Sequence, residues 1–526
     1  MVTTILLVGL ASLVADFGQV RSFGLLSDDW ALLGNLVWNE SDPPGRIIHD
    51  LCFYSWEARP LRAVEYALQW CAWRIAGLPG AFLLLWLCLT ASGVLFAQLT
   101  RRRLPDRLAL IAGLLFVLFP ADTTHIWSAT LMAKLGLLYA MISAWCFVRH
   151  RHAWAGLFAL AAVASYELSI FPLVLLPWWQ DGGSRRSIVR GTLVAGSALL
   201  LYAAWRYFVF PQFVPDTRIL AVRDDEGGLV AIVRQWATTS LFAIRDLGVW
   251  WPWSALRVAW RPENRAILLA AVAVFLPAFL LLDRRRGPTK LSIRGAAVAL
   301  AFGLLGISAG CALAVRATPA ATFGIFSRHN LAAAVGACLA LTVLIGAAIS
   351  WPKKAWTRAV FLALTSVLLA SFVAFRVAVQ DGYVAAARYQ EGVLRDLVAD
   401  LGPLPPHTVV IIRQPRRDWS PRVPDVIRPF VSGQIFESEA MFKLIYDDSI
   451  IAVAIETDAD LKDAYTITAV AQLAREIKRP FHRVAIYTVP DRTIEWMRVR
   501  PLEANEKLIE PSGPAWDHVV RWSDDR

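Results

Sequence analysis

Charge is scarce in this chain. Only 18% of its 526 residues are Asp, Glu, Lys or Arg, against about 25% in an ordinary soluble domain. The deficit is made up by hydrophobic residues, at 57%, and the mean hydropathy is +0.48. That balance excludes a soluble globular protein. Cysteine is also sparse: there are six, none in a CxxC pair and none in a His/Cys cluster with zinc spacing. Cys88, Cys146, Cys311 and Cys338 fall in apolar runs, where a free Cys packs as a small hydrophobe. Cys52 and Cys71 are the one pair that could join outside the membrane. The N-terminal run MVTTILLVGLASLVADFG lacks a basic leader and a small-residue cleavage site, so it reads as a retained span rather than a signal peptide. Internal repeats and low-complexity tracts are missing as well.

What the chain does have is a series of apolar segments of about 17–25 residues, each long enough to cross a hydrocarbon core of roughly 30 Å. It also has 23 tryptophans, a residue that accumulates at membrane–water interfaces. The net charge of +11 does not point to nucleic acid. Its basic residues sit in short loops: RRRLPDR (101–107), RHRH (149–152), RRSIVR (185–190), DRRRGPTKLSIR (283–294) and KKAWTR (353–358). This is the pattern of cytoplasmic loops in a polytopic membrane protein.

Keeping all five loops on one side requires spans in even numbers between them. The expected spans are about 2–20, 79–99, 106–120, 128–148, 188–210, 266–282, 295–315, 331–350 and 359–378, plus a hairpin over 153–179. As one helix, 153–179 would put RRSIVR on the wrong side. As two arms meeting near Ser165, Tyr166 and Glu167 it keeps the charge rule, and Glu167 then lies below the outer surface. The total is about 11 spans. The fold class expected is mainly α, with residues 1–378 as a membrane domain. Residues 379–526, where charge rises and TVVIIR (408–413) and SIIAVAIE (449–456) read as strands, form a soluble α/β domain on the outer side. There, TAVAQLAREIK (468–478) reads as an amphipathic helix. In RPLRAVEYALQWCAWR (59–74), Leu61, Val64, Leu68 and Trp73 recur at roughly helical spacing, as in a helix along the membrane surface. The Trp-rich stretch within 211–265 suits an interfacial position too.

This topology brings charged residues from at least six segments to the outer face: Asp28, Asp29, Arg59, Asp122, His125, Lys134, Glu167, Arg206, Arg316, Arg328 and His329. A charge within a span costs about 2.5 kcal/mol or more on insertion scales, so such groups serve a site or pair with one another. For Arg206, Arg316 and Arg376, near span ends, snorkelling to the interface is the expectation. For Lys134 and Glu167 it is a functional cavity.

The order of these motifs resembles the GT-C superfamily of membrane glycosyltransferases. SDDW (27–30) follows the first span, and RPL (59–61) lies in the same outer loop. FPADTTHIWSATLMAKLGLL (119–138) looks like the second outer hairpin, and SYELSIFPLVLLPWW (165–179) is similar to the Lys-Glu element, with Tyr166 where Lys is usual. FSRHNLAAAVG (326–336) resembles the late loop that supplies an Arg. The resemblance covers about residues 1–380. It implies transfer of a sugar from a polyprenyl-phosphate donor to an extracytoplasmic acceptor, which is a glycan, lipid or protein of the cell envelope. Asp28 or Asp29 would be the general base, with Asp29 less favoured beside the bulky Trp30. The other aspartate would cap a helix at Trp30–Val37. Arg59, Lys134, Arg328 and His329 would hold the donor phosphate, and Arg can do so in bidentate fashion. Asp122, His125 and Glu167 would shape the cavity, orient Lys134 or bind a cation such as Mg or Mn; some members of the superfamily use a metal and others do not. Composition suggests a bacterial inner membrane. A transporter or flippase of lipid-linked saccharides, a polymerase or ligase of them, and an envelope scaffold are the competing readings. The lack of internal repeats tells against the transporter.

Overall fold

The computed structural model describes residues 2–26, 29–38, 45, 59–212, 228–286, 291–312, 324–352, 354–414, 441–442, 444–446, 450–455, 483–489, 491–499, 507–512, 515–517 and 519–520. Asp28, Arg316, Cys52 and the segment 468–478 lie outside them. Among the described residues, eight helices are long and apolar enough to cross a membrane. The chain is a polytopic helical membrane protein.

Helix α1 (Val2–Phe17) packs against α2 (Arg62–Thr100) and α3 (Asp106–Leu118). The helix and the span expected at 59–74 and 79–99 both lie within Arg62–Thr100, as two helices joined at a kink where Ala76 leaves helical geometry and Gly77 takes φ +63°. Pro79 just beyond cannot donate to the helical ladder, so the bend is local and sequence-encoded. Helix α4 (Leu131–Val148) then pairs with α5 (His152–Ser165). After Ser165 the chain breaks at Tyr166 (φ −155°, ψ 119°) and returns through a 3-10 segment, Glu167–Leu175, to α6 (Leu176–Asp181). The two-armed reading of 153–179 matches this geometry, with Glu167 at the junction.

Helix α7 (Arg185–Ala204) continues into a wide turn, Trp205–Val209. Helices α8 (Gly228–Arg245) and α9 (Trp251–Ala259) occupy the Trp-rich region, where Leu241, Phe242 and Trp253 on the helices and Val249 and Trp260 next to them are exposed. Helices α10 (Arg265–Arg286), α11 (Ile293–Gly310) and α12 (Asn330–Ser350) follow. Helices α11 and α12 approach each other closely at a pair of glycine-bearing faces. A Cβ on Gly336 would stand 2.5 Å from the Gly303 carbonyl oxygen, so only glycine lets the two backbones touch.

The last helix, α13 (Ala355–Leu401), has 47 residues and is about 70 Å long, more than twice a bilayer core. The boundary expected at 378/379 falls inside it. Composition turns polar there, but the helical spacing of buried residues runs on through Tyr383, Ala387, Gln390, Leu394 and Leu397. Beyond it, β1 (Thr408–Arg413) lies parallel to β2 (Ile451–Ile455) and to β3 (Arg483–Thr488), and β3 pairs antiparallel with β4 (Thr493–Val499). The order is β2-β1-β3-β4, and the two strands read from sequence are β1 and β2.

Candidate functional site

Three polar clusters gather at the end of the bundle away from the basic loops. The first is built on Asp29. Its side chain is fully buried. Oδ1 accepts from the Ser128 hydroxyl at 2.8 Å and the Ala129 amide at 2.7 Å, and Oδ2 accepts from the Tyr383 hydroxyl at 2.9 Å. Asp29 thus ties the start of the first loop to the turn before α4 and to α13. The sequence suggested a helix cap for one of the two aspartates; these bonds of Asp29 run to distant segments, and Asp28 lies outside the described residues.

The second cluster is a buried chain of charges. Asp16, in the last turn of α1, meets Arg376 of α13 at 3.1 Å and His125 at 3.2 Å. Arg376 also donates to the Asp122 carbonyl. Asp122 pairs with Lys134 and accepts from the Thr124 amide at 2.9 Å and the Thr124 hydroxyl at 2.6 Å. His125 Nε2 is 3.5 Å from Asp122. Burial pushes the Asp122 carboxyl upward, but Lys134, Thr124 and Arg376 outweigh it and hold it below its ordinary value. Two readings change. Arg376 does not snorkel: it is completely buried against Asp16. Lys134, expected among the groups holding the donor phosphate, is 1% exposed and directs its ammonium at Asp122; the expectation that Asp122 orients Lys134 fits this pair. The cluster also supports the loop next to Arg328, since Thr123 donates to the Ser327 hydroxyl at 2.9 Å and Asn330 to the Ala121 carbonyl at 2.9 Å.

The third cluster is half-open. Glu167 Oε2 receives Arg59 at 2.9 Å, and Oε1 receives Arg206 at 2.6 Å and the Tyr202 hydroxyl at 2.9 Å. Their side chains keep 14% (Arg59), 16% (Glu167) and 25% (Arg206) exposure. Arg206 too is therefore paired rather than snorkelling. Arg59 stacks over the Tyr166 ring at 4.9 Å. Arg59 and Arg62 each donate to the Met132 sulfur at 3.1 Å, a weak acceptor for two guanidiniums. Arg328 lies within electrostatic range of Tyr166, and His329 within range of Arg328, Arg59 and Asp122.

Beside this cluster opens a groove of about 450 Å³. Pro60 and Leu61, Leu157, Leu160 and Ala161 of α5, and Leu201, Tyr202 and Trp205 line it. Its wall is apolar except at Tyr202, whose hydroxyl points to Glu167.

The residues expected to hold a divalent cation do not suit one as placed. Glu167 is taken by two guanidiniums and Tyr202, and Asp122 by Lys134 and Thr124. Among the described residues, no group of three or more His, Cys, Asp or Glu side chains converges as metal ligands would.

Four participants escaped sequence reasoning: Asp16, Arg62, Tyr202 and Tyr383. Asp16 had a signal, being the lone charge in an apolar span. The tyrosines had none, because their hydroxyls matter only through partners 35 and 354 residues away.

No family model matches the chain, and no curated protein does. Among solved structures it is similar to ArnT from Cupriavidus metallidurans bound to undecaprenyl phosphate, at 12% identity over 93% of each chain, with a TM-score of 0.45. It is similar also to the apo state of that protein, at 13% identity over 93% of this chain and 92% of the other, with a TM-score of 0.29.

Proposed function

We propose that this chain is a GT-C-type membrane glycosyltransferase of the bacterial inner membrane, moving a sugar from a polyprenyl-phosphate donor to an acceptor on the periplasmic side. The observation that carries this reading is the apolar groove whose wall includes Tyr202, bonded through its hydroxyl to Glu167 of the Arg59–Glu167–Arg206 cluster. A lipid whose chain lies in that groove has its head beside the guanidiniums, and fork-shaped Arg donors match a phosphate. Arg328 and His329, the latter within electrostatic range of Arg59, complete the phosphate-holding side. Lys134 supports the loop from within rather than touching the lipid.

The reaction needs a proton acceptor and a place for charge. The acceptor hydroxyl oxygen attacks the anomeric carbon, the bond from that carbon to the phosphate oxygen breaks, and the polyprenyl phosphate leaves with its electron pair. Lipid phosphate is a good leaving group, so no strong acid is required, while the cations stabilise the charge developing on it. The hydroxyl proton goes to a carboxylate. With Asp29 engaged by three donors, Asp28 is the base in this reading and Asp29 holds the loop that presents it. The domain after α13 recognises acceptor or caps the membrane part.

Mass spectrometry of envelope glycans from strains with and without the chain tests the reading. Loss of one defined sugar on deletion supports transfer. An intact set of glycans, or a lipid-linked intermediate trapped on the inner face as a flippase would leave it, counts against it.

A further inference from the structure

The third cluster contains a contradiction if Glu167 is read as an acid, a base or a metal ligand. Its carboxylate is fixed by two guanidiniums and a tyrosine, leaving it poorly placed for any of those roles. Yet, unlike the sealed Asp122–Lys134 pair, it remains partly open. We propose that Glu167 is a resident stand-in for the lipid phosphate: it occupies the fork between Arg59 and Arg206 until a phosphate enters along the groove and takes those guanidiniums from it. This rests on the polyprenyl-phosphate reading above. It adds Arg206 and Tyr202 as phosphate-binding residues and gives Glu167 a role in selecting the head group.

Geometry and chemistry both point this way. A carboxylate and a phosphate present similar paired oxygens to a guanidinium, so one can replace the other with little movement of the arginines. Tyr202 is at once a wall of the groove and a donor to Glu167 at 2.9 Å. Arg206, one turn further, donates to both Glu167 at 2.6 Å and the Tyr202 hydroxyl at 3.2 Å. A chain lying between Leu157, Leu160 and Leu201 therefore lies beside Tyr202, a donor that Glu167 now uses and that Arg206 also bonds. Arg62 and Arg59 meeting on a thioether supplies further cationic character beside the fork. An internal competitor also makes the site selective. The donor's phosphodiester carries one charge, as the carboxylate it replaces does, and the monoester left after transfer carries up to two; a neutral head group cannot replace Glu167, because it offers the guanidiniums no charge in exchange.

The test is binding of decaprenyl monophosphate, with decaprenol as the uncharged control, to the full chain in phosphatidylcholine nanodiscs, read by native mass spectrometry. Arg206→Gln removes a charge-assisted bond and should weaken phosphate-lipid binding about tenfold. Glu167→Gln removes the competitor and should strengthen it several-fold, roughly, with decaprenol binding unchanged in both. Glu167→Asp, which keeps the charge but reaches less far, should fall between wild type and Glu167→Gln, and it serves if the Gln variant fails to fold. Equal or weaker binding by folded Glu167→Gln and Glu167→Asp overturns the stand-in, and unchanged binding by Arg206→Gln removes Arg206 from the phosphate site. If the wild-type chain discriminates no phosphate lipid from decaprenol, the polyprenyl-phosphate reading itself falls together with this one.

Discussion

The Tyr383 hydroxyl donates to Asp29 Oδ2 at 2.9 Å across 354 residues of sequence, joining the first loop of the bundle to its last helix. The bond is buried, so the carboxylate has no water to replace a lost donor. Tyr383→Phe should therefore lower the unfolding midpoint by the equivalent of about 1–3 kcal/mol, read by thermal unfolding in nanodiscs. Asp29→Asn should cost a similar amount, and the double variant less than the sum of the two singles, because both remove the same bond. Additive effects would show that the two residues act independently.

The Asp122–Lys134 pair makes a sharper stability prediction. Removing one partner of a buried pair leaves an uncompensated charge and costs about 3–5 kcal/mol. Lys134→Met should destabilise the chain on that scale, while adding Asp122→Asn should recover part of the loss. A Lys134→Met variant with an unchanged unfolding midpoint would mean that Lys134 is not held as described.

These two clusters show what could be read from sequence and what could not. Eight of the expected spans, about 11 in all, have a matching long apolar helix among the described residues; these and the break at Tyr166–Glu167 were legible because they follow from hydropathy and the charge rule, both local properties of a chain facing lipid. The two pieces within Arg62–Thr100 were legible as well, because Gly77 and Pro79 mark the kink that separates them. Lys134 and Glu167 stood out as charges in apolar surroundings. Asp122 was among the residues expected to orient Lys134, but Arg59 and Arg206 were recognised only as members of one face, because which cation meets Glu167 depends on packing between segments distant in sequence. Arg376 was misread as snorkelling for that reason, since its partner Asp16 lies on α1.

At the α11–α12 contact, Gly336→Val would force a branched side chain into the Gly303 and Ile307 backbone. Overpacking of this kind costs about 1–3 kcal/mol or more, and thermal unfolding should show it. Gly156→Ala is the control: nothing lies within 4 Å of its added Cβ, and relief of glycine's entropy in α5 should raise stability by about 0.5–1 kcal/mol. Equal effects of the two changes would contradict the close approach.

The groove makes a kinetic prediction. Ala161→Phe fills its wall without touching the charged cluster. Transfer assays with the native lipid-linked donor should show a raised KM for the donor with kcat largely kept, the signature of lost uniform binding. A fall in kcat alone would place the lipid chain elsewhere.

The central claim is sugar transfer from a polyprenyl phosphate with Asp28 as the base. Its most direct test is the pool of polyprenyl-monophosphate-linked sugar, measured by lipid mass spectrometry in a strain lacking the chain and in the same strain carrying either the wild type or Asp28→Asn. The account predicts that this lipid accumulates in the deletion strain, returns to its normal level with the wild type, and stays high with Asp28→Asn present at normal abundance in the membrane. A pool that does not change on deletion, or that Asp28→Asn restores as fully as the wild type, would contradict it.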